Sequence, residues 1–214
     1  MCCASFLHDS TDIYIITSTF YLLPYFSSDY KIKIFDLKGN EIKEIKNFNS
    51  EIIFVDGYYD KRLNKKYIII GTNNSIKSYD FNNNSIYISY FDNDYFNHLN
   101  IIIDDKGEVV KLIESSENGF IRIWNFHLGK LLKKIKVVDL YNLYGLCLWN
   151  DEYLLVGCSN NIIKIIDLKK GLIIKDIYGH NSTVITLKKI IHPKHGECLI
   201  SKDFYDNIKF WVNK

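Results

Sequence analysis

The chain repeats itself at a fixed period, and that period decides what it can fold into. Residues 119–126 read GFIRIWNF, and looser copies recur at 29–36 (DYKIKIFD), 73–80 (NNSIKSYD), 160–167 (NNIIKIID) and 206–212 (DNIKFWV). Aligned on their large apolar residue (Phe35, Tyr79, Trp124, Ile166 and Trp211), the copies lie 44, 45, 42 and 45 residues apart. A self-similar period of this length marks a propeller-type repeat, with one four-stranded sheet per period.

The segments between the copies agree. Period one offers strands at 4–8, 13–19, 31–36 and 41–46. Period two offers 52–56, 67–71, 75–80 and 85–90. Period three offers 99–103, 109–114, 120–126 and 131–137. Period four offers 144–149, 153–157, 162–167 and 172–177. Period five offers only 184–190, 198–201 and 207–212. Each segment is short and rich in Ile, Tyr, Val and Phe, and Gly, Asn or Asp separates it from the next; that is strand and turn chemistry. None sustains a 3.6-residue period over ten residues. The second strands, such as Tyr67-Ile68-Ile69-Ile70, are more continuously apolar, whereas several third strands alternate Ile with Lys or Arg. Such a mixture suits sheets packed face to face, with the inner strands buried on both sides. The expected architecture is all-β, a single domain over 1–214 with blades at about 2–47, 51–91, 98–138, 143–178 and 183–214. Two links are long: 20–28, which is aromatic and apolar, and 57–66, which is rich in charge.

Composition narrows the function. A formal net charge of +2 argues against a dedicated nucleic-acid binder, which concentrates a large positive excess. No run of about 18 apolar residues spans a membrane, and no basic-plus-apolar signal peptide opens the sequence. Of the five cysteines, Cys147, Cys158 and Cys198 sit in apolar strand patterns that suit buried reduced thiols. These points lead to an expected cytoplasmic location. The asparagine clusters fall at turns, where Asn tolerates positive φ.

From Gly179-His180 through 184–190 and 198–201 to Ile208-Lys209-Phe210-Trp211, the fifth period resembles a WD40 repeat, whose units run from a Gly-His pair to a Trp-Asp pair. The resemblance follows the period along the chain. Trp124-Asn125, Phe35-Asp36, Tyr79-Asp80 and Ile166-Asp167 stand at the Trp-Asp position with substitutions. It implies a β-propeller, usually of seven blades, that serves as a platform for protein complexes. It also implies a structural hydrogen-bond network, which only period five can supply, from His180, Ser201, Asp206 and Trp211. The turn before Trp211 is one residue short of the family pattern. Four full units and three strands of a fifth depart from a seven-bladed ring. Three closures are open: a section of a longer propeller, closure by self-association or with another chain, and a distorted small ring. Unpaired sheet edges would favour self-association.

Other motifs read as structure. His192, His195 and Cys198 have the spacing H-x-x-H-x-x-C, but structural zinc wants a fourth ligand and none is in view. Ser201 has no nucleophile elbow, and no phosphate-cradling glycine loop occurs. Residues 104–108 read as a hairpin turn. Cys2-Cys3 lacks the basic patch that would accompany acylation. No metal or cofactor is expected. The apolar link offers Tyr21, Leu22, Leu23, Tyr25 and Phe26 as a contact surface for a partner, since protein interfaces concentrate aromatic residues. The sequence thus points to a non-catalytic protein–protein interaction scaffold. The alternative is a regulatory or substrate-recruiting propeller within a larger multidomain enzyme such as a kinase.

Overall fold

The computed structural model describes residues 3–22, 28–72, 75–90, 95–103, 110–139 and 141–212, with backbone only at 20–22, 28–29, 96 and 103. Nineteen strands and no helix occur among them. The first sheet takes β1 (Ala4–His8), β2 (Ile13–Leu22), β3 (Ser28–Asp36) and β4 (Glu41–Phe48) in sequence order. The second takes β5 (Ile52–Asp60), β6 (Lys65–Thr72), β7 (Ser75–Asp80) and β8 (Ile86–Tyr90). The third takes β9 (Phe96–Ile103), β10 (Val110–Ser116), β11 (Phe120–Asn125) and β12 (Leu131–Lys136). The fourth takes β13 (Leu143–Leu148), β14 (Tyr153–Cys158), β15 (Ile163–Asp167) and β16 (Leu172–Ile177). The fifth has three strands, β17 (Val184–His192), β18 (Gly196–Asp203) and β19 (Ile208–Val212). Every pairing is antiparallel. The protein is therefore all-β, built from five antiparallel sheets of three or four strands.

Two hairpins run further than the sequence suggests. In the link read at 20–28, β2 continues to Leu22 and pairs with Ser28, which leaves only 23–27 between the strands. In the charged link read at 57–66, β5 continues to Asp60 opposite Lys65. The reason is visible at Tyr58, which is buried and stacks on Tyr67 directly across the pair. That cross-strand aromatic contact rewards a longer ladder. Of the charges in that link only Lys61 and Arg62 stay in the short turn at 61–64, where Asn64 takes a φ of 51°. Asn84 and Asn161, from the asparagine clusters, also have positive φ.

Where the period reads as one domain, the chain gathers into two compact units. The first holds the first and second sheets together with residues 126–129. Its core joins Leu7, Ile16, Ile32 and Ile34 of the first sheet to Val55, Ile68 and Ile70 of the second. The second unit holds the remaining three sheets. Ile113, Ile121 and Ile123 of the third sheet pack on Leu146, Leu154 and Val156 of the fourth. The opposite face of the fourth sheet, with Cys147, Leu155 and Ile163, packs on Val184, Leu187 and Leu199 of the fifth. The approach is close at Gly157, where a Cβ would lie 2.4 Å from the Val184 carbonyl oxygen. Any side chain there would push the fourth and fifth sheets apart.

Cys147, Cys158 and Cys198 are free thiols inside these sheets, and burial pushes the Cys158 thiol up to about 12. Among the described residues, no helix is long and apolar enough to cross a membrane.

Candidate functional site

The fifth sheet carries a buried polar constellation. The sequence places Ser201 on β18 and Trp211 on β19, and strand pairing sets Leu199 opposite Trp211 and Ser201 opposite Lys209. Side chains two residues apart share a face, so Ser201 and Trp211 point to the same side of the sheet. The Trp211 indole N–H donates to Ser201 Oγ at 2.7 Å. His180 arrives from the segment before β17 and sets Nε2 2.6 Å from the same Oγ. Its Nδ1 lies 3.1 Å from Asp203 Oδ2. One assignment of protons satisfies all four groups: Nδ1–H donates to Asp203, Nε2 accepts the Ser201 hydroxyl proton, and Ser201 Oγ accepts from Trp211. Gly179 has φ +151°, and a Cβ there would stand 2.8 Å from the Trp211 ring. Glycine before His180 therefore lets the indole lie against the backbone.

His180, Ser201 and Trp211 thus come together as read from the sequence. The carboxylate does not. Asp206 sits in the turn after β18 with φ 64°, its side chain is 79% exposed, and it pairs with Lys202 at 2.6 Å. Asp203 takes its place in the network. The cause is the two-residue period of a strand, which sets Ser201 and Asp203 on one face of β18 and aims both at His180. The pattern Ser201-Lys202-Asp203 is the signal that finds it; counting back from Trp211 to the turn misses it.

Asp203 is also clasped by the turn. Its carboxylate accepts from the backbone N–H of Tyr205 and of Asn207 and from the Asn207 side-chain amide. Burial alone would raise its pKa. The hydrogen bonds from His180 and Asn207 outweigh that and hold it below the usual carboxylate value. His180 has both ring nitrogens engaged, and its side chain is 1% exposed. This arrangement is a strut between a loop, two strands and a turn. It offers no free base or nucleophile to a substrate.

The first unit holds a second buried polar group that the sequence did not reveal. Asp60 Oδ2 lies 3.0 Å from His127 Nε2, and Asp60 Oδ1 accepts the Leu63 backbone N–H. His127 Nδ1 is 3.3 Å from the Tyr87 hydroxyl. Around them pack the rings of Tyr58, Tyr67 and Phe126. Burial lowers the His127 pKa against the pull of Asp60. Nothing at the sequence level links positions 60, 87 and 127; only the fold brings them together.

The other candidates are quickly placed. The rings of His192 and His195 stack 4.8 Å apart, while Cys198 is buried, its thiol directed to the Gly196 carbonyl. Among the described residues, no three His, Cys, Asp or Glu side chains converge on a position for a metal ion. Tyr21 and Leu22 lie in the backbone of β2. The remaining contact candidates, Leu23, Tyr25 and Phe26, lie outside the described residues, as do 104–108 and Cys2.

A further polar pair marks the third sheet. Arg122 Nη1 and Glu114 Oε1 are 2.6 Å apart, directly across β10 and β11, with both side chains buried. In β10, Glu114 holds the position that Ser201 holds in β18.

Beside the fifth sheet lies an open cleft of about 590 Å³, lined on one side by Trp149, Tyr153, Ile174 and Tyr178 and on the other by Trp211 and Val212. It is mostly apolar, with Lys175 and Asp176 at its wall.

No protein-family model and no curated protein matches this chain. Solved structures do match it, 1244 chains in all, so the strand arrangement is a common one. One is the crystal structure of the computationally designed Ika4 protein, with a TM-score of 0.60 and 16% identity over 78% of this chain and 94% of that one. At that identity the likeness speaks to the fold alone.

Proposed function

We propose that this chain is a non-catalytic platform for other proteins, built on divergent propeller repeats of the WD40 type. One observation carries the reading. The first isoleucine of the third strand is buried in four sheets, at Ile32, Ile76, Ile121 and Ile163, and is 69% exposed in the fifth, at Ile208. Phe210 and Val212 follow it into solvent on the same face. Apolar surface left open on a strand that the repeat otherwise covers is what a contact face requires. The engaged state of His180, Ser201 and Asp203 supports a structural role for the polar groups. The rest of the proposal leans on the likeness of the repeat to a family of interaction platforms.

Affinity capture with the intact chain, read by mass spectrometry beside an Ile208→Lys/Phe210→Lys variant, tests this. The expected result is a defined set of proteins lost with the variant while its circular dichroism stays unchanged. Identical capture by both chains would overturn the reading, as would turnover by the purified protein in activity screens.

A further inference from the structure

We propose that the outer strand β12 and the turn at 168–171 form a basic strip that docks an extended acidic segment of a partner protein, a claim that rests on the platform reading and names the partner's chemistry. The strip stands out against the molecule's own outer strands. β4, β8, β12 and β16 hold the same place, at the end of their sheets. β4 carries Glu41 and Glu44 with Lys43 and Lys46, β16 carries Lys175 with Asp176, and β8 carries no charge. Residues 130–136 carry Lys130, Lys133, Lys134 and Lys136 and no acid. The whole chain has a formal net charge of only +2, so this excess is local.

Packing holds the charges outward and together. Ile135 of β12 is buried, while Lys134 and Lys136 on either side of it are exposed. Side chains at alternate positions of a strand share a face. Both ammonium groups lie over the Phe120 ring, Lys134 Nζ at 4.6 Å from its centroid and Lys136 Nζ at 4.3 Å. The ring attracts cations and so holds two like charges side by side. Lys133, on the other face, donates to the Leu168 and Lys169 carbonyls, each at 2.9 Å. That clasp brings the turn against β12, and the turn adds exposed Lys169 and Lys170. Lys136 lies 3.9 Å from Asp139 and Lys170 3.4 Å from Asp167. Ion pairs at a protein surface are weak.

Lysine on an edge strand also discourages another strand from pairing with it. β8 is an outer strand of the same kind and does without any charge, so protection of the edge does not account for four lysines. The same guard shapes the contact: the partner is held by side-chain charge and not by a strand ladder. Lys134 and Lys136 stand about 7 Å apart along the strand, which is also the spacing of alternate side chains in an extended segment. Acids at every second residue therefore match them. A nucleic-acid strand fits less well. It needs open aromatic faces on which bases stack, and the Phe120 ring is occupied by the two lysines.

The probe is a labelled decapeptide of alternating serine and glutamate, titrated into the full chain at low salt and read by fluorescence anisotropy. Saturable binding is expected, and it should weaken as salt is raised. Lys134→Glu with Lys136→Glu should weaken it by ~10-fold, since two contacts turn from attraction to repulsion. Lys61→Glu with Lys65→Glu changes the net charge equally, at exposed positions of the first unit, and should leave binding unchanged. A labelled oligouridylate of equal charge should bind more weakly than the peptide. Absence of saturable binding overturns the proposal, as does binding indifferent to the Lys134→Glu/Lys136→Glu variant with native circular dichroism. An equal loss in both variants also overturns it, because net charge alone would then be at work. Tighter binding of the oligouridylate overturns the class of partner. If capture from cells survives Lys134→Glu/Lys136→Glu, the platform stands and this strip does not. If the probe binds as described but no protein is captured from cells, the strip stands and the platform reading falls.

Discussion

The third and fifth sheets are built on the same strand pattern and solve the same packing problem differently. Both set a leucine opposite a tryptophan, Leu112 with Trp124 and Leu199 with Trp211. Two residues before the tryptophan, the third sheet places Arg122 opposite Glu114, and the fifth places Lys209 opposite Ser201. The third sheet thus buries an ion pair between neighbouring strands. The fifth instead reaches out of the sheet to a histidine and ties in the loop that carries it. The comparison teaches that the repeat fixes apolar anchors and register, while the polar solution at the inner position is free to vary provided every buried group finds a partner. It also shows what an outer strand does. Trp124 is buried beneath a completed sheet, whereas Trp211 is only half-buried beside an open edge.

The largest test breaks the third sheet. Arg122→Ala strands a buried carboxylate and should cost about 3–5 kcal/mol in chemical denaturation. Replacing both partners, Arg122→Met with Glu114→Leu, should recover most of that loss, because matched apolar residues carry no desolvation penalty. Next in size is the fifth sheet's strut. His180→Ala leaves buried Ser201 and Asp203 short of a partner and should cost about 1–3 kcal/mol.

A smaller test is the acid limb of the stability curve. The Asp203 pKa is lowered on folding, so its contribution is fully present above the unfolded carboxylate pKa and is lost as pH falls through the folded value. Asp203→Asn should flatten the pH dependence of the melting temperature in that acid range. Smallest of all, Asp206→Gly should change stability by no more than about 0.5 kcal/mol, since an exposed turn residue with positive φ is easily replaced by glycine.

Much of the fold was legible because apolar spacing reports it directly. The 42–45-residue period located every third strand, and Ile alternating with Lys or Arg in several of them pointed to sheets packed face to face. Strand ends were less legible. The extension of β5 to Asp60 depends on Tyr58 meeting Tyr67, and that contact exists only once the hairpin has formed. The network was partly legible: Gly179-His180 and Trp211 carry a local signature, but the carboxylate is chosen by which side of β18 it faces, and that favours Asp203. The Asp60–His127 pair was not legible at all, because its members belong to different periods with no shared motif.

The exposure of β19 is the feature on which the functional reading turns, and hydrogen–deuterium exchange resolved to short peptides measures it directly. β11 and β19 should be followed in the same sample. Rapid exchange over Ile208–Val212 beside strong protection over Phe120–Asn125 is the expected result, because one strand is bonded on both sides and the other on one. Equal protection of the two strands would mean that β19 is already covered, and would contradict the exposed strand on which the platform reading rests.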